Sequence, residues 1–276
     1  MREAGASGGR WREQLAPLLG DPAASAVFCD LDGTLAPIVA RPELVEVPDR
    51  ARSALEGIAS RFGLCAIVTG RRPQEAREIV GVAGIAYAGN HGFELLEPGA
   101  SAAVPSPELA GREDAAAGYL ADAVDRERMA AAGIRLEDKG PIVALHWRGA
   151  PDEGVAEQIA LDIGEDARGC GLRTHAGRKV LELRPPVSVD KGVAIAGLLR
   201  RSGLRNAFFA GDDRTDVDGF RVLAEMRDAG ELDAVVRVGV RSPEGPSEIV
   251  AEADLVVAGT EELADLLAVL APPVEG

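Results

Sequence analysis

Six short apolar runs that do not alternate with polar residues set the strongest limit on how this chain can fold. They are 26–30 (AVFCD), 64–69 (LCAIVT), 85–88 (IAYA), 207–210 (AFFA), 235–240 (VVRVGV) and 255–257 (LVV). A strand with one face in water alternates, so runs like these need cover on both faces. Between many of them lie stretches predicted to be helical, 50–62, 73–80, 191–202, 216–229 and 260–270. Strands interleaved with helices build a mostly parallel sheet, and the expected class is α/β. The last of these helices begins Thr260-Glu261-Glu262, an N-cap candidate followed by acids that suit a helix N-terminus. In such a sheet ligands bind at the carboxyl ends of the strands, where Asp30 and Thr69 fall.

The middle of the chain follows a different pattern. A Pro/Ser/Ala/Gly-rich connection, "PGASAAVPSPELAGRE" (98–113), leads into a predicted helix near 114–132. Two strand pairs follow, in 133–148 and 171–185, on either side of a predicted helix near 151–168. Their turns are Asp138-Lys139-Gly140 and Ala176-Gly177, so this part reads as an α+β insertion with its own small antiparallel sheet. Alternation groups His146 with Arg148, opposite Val143, Leu145 and Trp147, and groups Arg178 with Glu182. Such a polar face is either simply solvated or the ceiling of a site.

The chain has 276 residues, of which 46% are hydrophobic and 27% charged, with a net charge of −15. A surface this acidic repels nucleic acid and anionic membranes, which excludes both as expected partners. Three widely spaced cysteines, Cys29, Cys65 and Cys170, form no C-x-x-C pair. The first twenty residues hold no apolar stretch of the signal-peptide kind, and no segment reaches membrane-spanning length. The expectation is a reduced, cytoplasmic protein.

Four separated pieces carry chemistry: Asp30-Leu31-Asp32-Gly33-Thr34-Leu35, Val68-Thr69-Gly70-Arg71, Asp190-Lys191 and "AGDDRTDVDGF" (210–220). Singly, each is an ordinary turn or helix cap. Together they supply phosphoryl transfer, which needs a nucleophile, a cation, fixed donors and an acid for the leaving group. Asp30 and Asp212, at neighbouring strand ends, suit Mg²⁺, whose charge would offset the crowding of acids. Asp32 points differently from Asp30 and can donate a proton. Gly33 lets backbone amides approach a phosphate, while Thr69 and Lys191 add a hydroxyl and a point charge. No serine nucleophile elbow or Walker A loop competes, and three histidines make a histidine-rich metal site a poor fit.

"DLDGT", "TGR", the Lys191 position and "GDDRTD" resemble the four ordered motifs of the haloacid dehalogenase superfamily of phosphatases. "YAGNHGFEL" (87–95), "LEDKGPIVALHWR" (136–148), "GRKVLELRPP" (177–186) and "AGDDRTDVDGFRVL" (210–223) are similar to one branch of it, the trehalose-6-phosphate phosphatases. That resemblance implies a Rossmann-like parallel-sheet core, 1–95 and 185–276, with an α+β cap domain, 96–184, inserted between the second and third motifs. It implies Asp30 as nucleophile and Asp32 as general acid and base. It further implies a phosphate site of Asp30, Asp32, Gly33, Thr34, Thr69, Gly70, Arg71 and Lys191. Mg²⁺ would be held by Asp30, the Asp32 carbonyl and Asp212, with Asp213 beside them and Asp216 in support. Sugar recognition would fall to Asn90, His91, Gly92, Glu94, Lys139, His146, Arg148, Arg178, Lys179 and Glu182. The implied substrate is the phosphosugar trehalose 6-phosphate, with a functional link to a separate trehalose-6-phosphate synthase. No synthase-like segment precedes residue 26, so a stand-alone phosphatase is expected. Thr69 stands where a serine is common, and "VRSPEGPSEIVAEAD" (240–254) fits the pattern loosely. The rival expectations are a capped phosphatase for another sugar phosphate and a catalytically silent phosphosugar sensor, which would lack a key acid or the lysine.

Overall fold

Along the chain, α1 (Gly8–Gly20) leads into β1 (Ser25–Cys29), α2 (Asp49–Arg61), β2 (Leu64–Val68), α3 (Pro73–Val80), β3 (Ala86–Gly89), β4 (Glu94–Leu96) and β5 (Val104–Pro105). Next come α4 (Ala115–Ala123), α5 (Arg126–Ala131), β6 (Arg135–Asp138), β7 (Val143–His146), α6 (Glu153–Gly169), β8 (Arg173–Gly177) and β9 (Val180–Arg184). The remainder is α7 (Lys191–Ser202), β10 (Asn206–Gly211), α8 (Arg214–Asp228), β11 (Ala234–Val240), α9 (Ser247–Glu252), β12 (Leu255–Val257) and α10 (Thr260–Leu270). This computed structural model describes residues 8–39, 41–177, 179–242 and 245–271. The chain divides into two units, Met1–Val104 with Val189–Gly276, and Pro105–Ser188. The expected insertion spanned 96–184.

The larger unit is organised by β1, which is buried at all five positions. Val27 and Cys29 pack into a cluster with Leu15 and Leu18 of α1, Leu55 and Ile58 of α2, and Leu266 and Leu267 of α10. Ala26 and Phe28 join another cluster with Ile195 of α7, Phe220 of α8 and Ile249 of α9. Consecutive side chains of a strand point to opposite faces. Both faces are covered by helices, which explains the unbroken apolar runs. Fully burying each Leu or Phe contributes about 1.5–3 kcal/mol. The sheet order is β12-β11-β10-β1-β2-β3-β4-β5, parallel from β12 to β3, with β4 antiparallel to β3. Cys29 lies opposite Ala210 on one side and Ile67 on the other, so β1, β10 and β2 end together.

Helix α1 was not among the predicted helices. Its Trp11, Leu15 and Leu18 recur at helical spacing and are buried. At α10 the N-cap is Gly259, and Thr260 is already the first helical residue. No side chain caps α10; the Glu262 carboxylate accepts from the N–H of Ala258, the residue before the N-cap, at 2.6 Å.

The smaller unit is an antiparallel sheet, β6-β7-β9-β8, with helices on one face. Val143, Leu145, Leu181 and Leu183 pack there against Tyr119 and Leu120 of α4 and Ala156 and Ala160 of α6. The helix predicted near 114–132 is in fact two. Val124 adopts an extended conformation, and the Asp125 side chain caps a new helix by accepting from the Arg128 N–H at 3.0 Å. No helix among the described residues is long and apolar enough to cross a membrane.

Candidate active site

The parallel register brings Asp30, one residue past β1, beside Asp212, one residue past β10. The Asp30 N–H donates to the Ala210 carbonyl at 2.9 Å, continuing the ladder to the last residue before the turn. Lys191 opens α7, where the Asp190 side chain accepts from the Val193 N–H and fixes the helix start. The Lys191 Nζ lies 2.7 Å from Asp30 Oδ1 and 2.7 Å from Asp216 Oδ1, and it is 2% exposed. Burial opposes the lysine charge, but Asp216, Asp30 and Asp213 outweigh it and hold the ammonium well above its ordinary pKa. Lys191 is therefore a fixed cation in a nearly dry pocket.

Asp216 uses both of its oxygens. Oδ1 takes Lys191, and Oδ2 accepts the N–H groups of Asp212 and Asp213 at 3.0 Å each. This shapes the turn that presents Asp212. The Asp213 side chain completes a capping box with Asp216 at the start of α8, accepting from Thr215 and Asp216. Burial opposes its charge, yet Lys191 and these donors hold the Asp213 carboxyl well below the usual range.

Beyond β1 the chain folds tightly, with the N–H groups of Leu35 and Ala36 both donating to the Leu31 carbonyl. Gly33 sits at φ +88°, and a Cβ there would fall 2.2 Å from Asp212 Oδ2. Only glycine fits this position beside the second acid. Thr34 was expected in the phosphate site, and its hydroxyl donates to Asp212 Oδ1 at 3.1 Å. Arg71, also expected in the phosphate site, pairs with the other carboxylate of the motif. Its Nε donates to Asp32 Oδ2 at 2.7 Å and its Nη2 to Asp32 Oδ1 at 2.8 Å. Thr69 is buried, and its N–H donates to the Ala88 carbonyl, which places its hydroxyl just past the end of β2.

One carboxylate oxygen each from Asp30, Asp212 and Asp216 lie within 4.8 Å of one another. Burial, together with repulsion from Asp213 and Asp212, pushes Asp30 up to about 7 despite Lys191. Burial and the neighbouring Asp216 and Asp213 push Asp212 up to about 7 as well. Hard oxygen donors crowded until their charge is costly are what a small divalent cation relieves. The residues present therefore fit a metal ion. Asp216 spends both oxygens on Lys191 and on the Asp212 and Asp213 N–H groups, and Asp213 is not among the clustered acids, which leaves Asp30 and Asp212 as the acids best placed to ligate.

The residues expected to recognise sugar fall in both units. Asn90, His91, Gly92 and Glu94 belong to the larger unit, beside the Thr69–Arg71 loop. The Asn90 N–H donates to the Arg71 carbonyl and the His91 N–H to the Thr69 carbonyl. Asn90 and His91 both adopt positive φ, 51° and 58°, a strained arrangement that persists where surroundings over-determine it. A Cβ on Gly70 would lie 2.7 Å from the His91 ring, so Gly70 and His91 are packed face to face. Asn90 Nδ2 donates to Glu94 Oε2 at 2.5 Å. In the smaller unit, the nearly buried Glu182 accepts from Lys139 at 3.1 Å and from Arg184 at 2.6 and 2.9 Å. His146 Nε2 lies 2.7 Å from Glu137 Oε2, on the face opposite Val143 and Leu145. Arg148 lies past the end of β7 in an exposed turn, and Lys179 pairs with Glu153 at 2.5 Å. Arg178 lies outside the described residues. Arg184 and Glu137 were missed by the sequence reasoning, although alternation along β9 and β6 places them beside Glu182 and His146.

Comparison with known proteins agrees with this geometry. A trehalose-phosphate phosphatase of Mycolicibacterium paratuberculosis is 36% identical over 264 residues, covering 88% of this chain and 62% of that protein. A Mycobacterium tuberculosis protein described as an uncharacterized glycosyl hydrolase is 40% identical over 205 residues, covering 71% of this chain and 15% of its own. The chain thus spans less than two thirds of the curated relatives it matches. A solved structure described as a trehalose-6-phosphate phosphatase related protein superposes with a TM-score of 0.68 at 26% identity, covering 88% of this chain and 95% of that one. The family model described as trehalose-phosphatase matches residues 28–249, which takes in all four acid, hydroxyl and lysine pieces, and the chain belongs to that family.

Proposed function

We propose that the chain is a Mg²⁺-dependent phosphatase that hydrolyses trehalose 6-phosphate to trehalose and phosphate through an aspartyl-phosphate on Asp30. The observation that carries this reading is the buried Asp30–Lys191–Asp216 cluster with Asp212 beside it. A cluster that also retained Asp32 argues for catalysis over a silent sensor. The trehalose-phosphate named for the relatives, and the polar sheet face of Lys139, His146, Glu182 and Arg184, support the sugar assignment.

Asp30 attacks phosphorus, and the bond from phosphorus to the sugar 6-oxygen breaks as Asp32 gives that oxygen a proton. Asp32, now a carboxylate, takes a proton from water, which hydrolyses the acyl phosphate and returns Asp30. Proton transfer of this kind contributes about 10²–10⁴-fold. Lys191 and the Thr69 hydroxyl hold the transferring group, with a charge that stays in place throughout the reaction. Mg²⁺, held by Asp30, Asp212 and the Asp32 carbonyl, would offset the negative charge of the phosphoryl oxygens. Three cysteines without a disulfide accord with a cytoplasmic location, which is part of the same proposal.

Phosphate release should be measured across a panel of sugar phosphates, with and without Mg²⁺. Trehalose 6-phosphate should give the highest kcat/KM, and chelation should abolish it. Asp30→Asn should fold, bind substrate and lose at least about 10³-fold in kcat, as removal of a covalent nucleophile does. A higher kcat/KM for another disaccharide phosphate would overturn the substrate. Near-native turnover by Asp30→Asn would overturn the nucleophile.

A further inference from the structure

The Arg71 guanidinium makes three kinds of contact within the protein. Two parallel hydrogen bonds, 2.7 and 2.8 Å, grip both oxygens of Asp32. Nη1 pairs with Glu75, one turn along on α3, and Nη2 also donates to the Pro42 carbonyl at 3.1 Å. Pro42 begins a 3₁₀ turn, Pro42–Leu44, in the loop that returns from β1. The Arg71 side chain is 11% exposed, whereas that of Asp32 is 37% exposed. A largely buried, rigid fork therefore holds an accessible carboxylate.

We propose that Arg71 is a positioning residue for Asp32: it locks the carboxylate in one orientation and ties it to α3 through Glu75 and to the 42–44 turn through Pro42. This deepens the proposed phosphatase reading and rests on it. The fork-on-carboxylate arrangement is the geometry guanidinium makes best, and it restricts the plane of the acceptor as well as its distance. Each Asp32 oxygen accepts one of these bonds and keeps a second lone pair, so the grip leaves room for a proton to be given or taken. A short side chain on a Gly-containing turn would otherwise sample several rotamers. Misplacement by about 1 Å can cost about 10²-fold in rate. The contact to Pro42 means that the same side chain also fixes the loop following the acid.

Two roles for Arg71 predict different kinetics. A residue that binds phosphate affects every phosphate ester alike. In the first step, which kcat/KM reports, a residue that acts through the proton donor matters only when the leaving group needs a proton. In the second, where Asp32 takes a proton from water, it matters for every ester. Sugar alkoxides need a proton to leave, whereas p-nitrophenolate leaves without it. The experiment compares wild type, Arg71→Ala and Arg71→Lys on trehalose 6-phosphate, glucose 6-phosphate and p-nitrophenyl phosphate, with melting temperature recorded for each. For Arg71→Ala, kcat/KM on the sugar phosphates should fall about 10²-fold, the lower end of what proton transfer contributes. On the aryl ester kcat/KM should fall only a few-fold. Arg71→Lys, which cannot make the paired contact, should fall between. Guanidinium ion at millimolar concentration should restore sugar-phosphate kcat/KM to the Arg71→Ala protein and leave aryl kcat/KM where it is.

An equal loss of kcat/KM on both ester types would overturn the proposal in favour of phosphate binding. Unchanged sugar-phosphate kcat/KM in both variants would also overturn it. If Arg71→Ala does not fold, Arg71→Lys carries the same comparison of ester types. Failure of the underlying reading looks different: wild type would then cleave the aryl or glucose ester and ignore trehalose 6-phosphate. The Arg71 comparison could still be made on whichever alkyl phosphate it cleaves.

Discussion

Asp212 is presented by two neighbours, Gly33 and Thr34, and each was visible in the sequence only in part. Gly33 reads as a turn glycine, but that its missing side chain makes room for Asp212 depends on the pairing of β1 with β10. Thr34 reads as part of a phosphate loop, and that its hydroxyl reaches Asp212 Oδ1 depends on the fold. The acids and the lysine were legible because their chemistry sets residue type at fixed local spacing. The pairing of Arg71 with Asp32 was not, because it joins residues 39 positions apart that meet only once β1 and β2 align. Thr34→Val keeps the shape and removes the donor, freeing Asp212 to turn. Mg²⁺ affinity should fall about 10-fold, the lower end for loss of a group supporting a ligand. At saturating Mg²⁺, kcat should recover to near wild type. An activity titration against Mg²⁺ reads this directly, and an unchanged midpoint would count against Thr34 as support for the metal site.

At the scale of elements, helix starts do much of the positioning. α7 presents Lys191 as its first residue, and α8 begins where Asp213 and Asp216 cap each other's backbone. The D-x-x-D spacing from 213 to 216 is the local sign of that capping box, and the predicted α8 missed its first two residues by starting at 216. Helix existence was legible from apolar spacing, as in α2 and α7. The break between α4 and α5 was not, because the Asp125 cap shows only once the chain stops being helical at Val124. If Asp213 chiefly serves α8, Asp213→Ala should lower stability by about 1 kcal/mol, the usual cost of losing a cap. Asp213→Ser, which retains a cap acceptor, should recover most of it. Urea unfolding of the three proteins measures both. Equal loss in the Ala and Ser variants would mean that charge beside Lys191, and not capping, is what Asp213 supplies.

At the scale of the whole molecule, the proposed metal site, assembled from buried acids, should leave a signature in stability. Asp30 and Asp212 sit at about 7, above the ordinary carboxylate value of 3.8. Between those values the folded chain holds protons that the unfolded chain has released. Stability of the metal-free protein should therefore fall as pH rises through that window and level off above it. The net charge of −15 adds a general repulsion of the same sign, so the slope alone does not identify the two acids. The proposed Mg²⁺ site would identify them. A cation held there binds the folded state through carboxylates that have lost their protons, so its stabilisation should grow with pH over the same window. Melting temperature should rise by several degrees with Mg²⁺ at about pH 8 and hardly at all at about pH 5, since about 1 kcal/mol moves a chain of this size by a few degrees. In a protein carrying Asp30→Asn and Asp212→Asn together, the Mg²⁺ increment should vanish and the metal-free slope should flatten. An increment that is equal at both pH values, or that survives in the double variant, would place the bound cation elsewhere on the acidic surface.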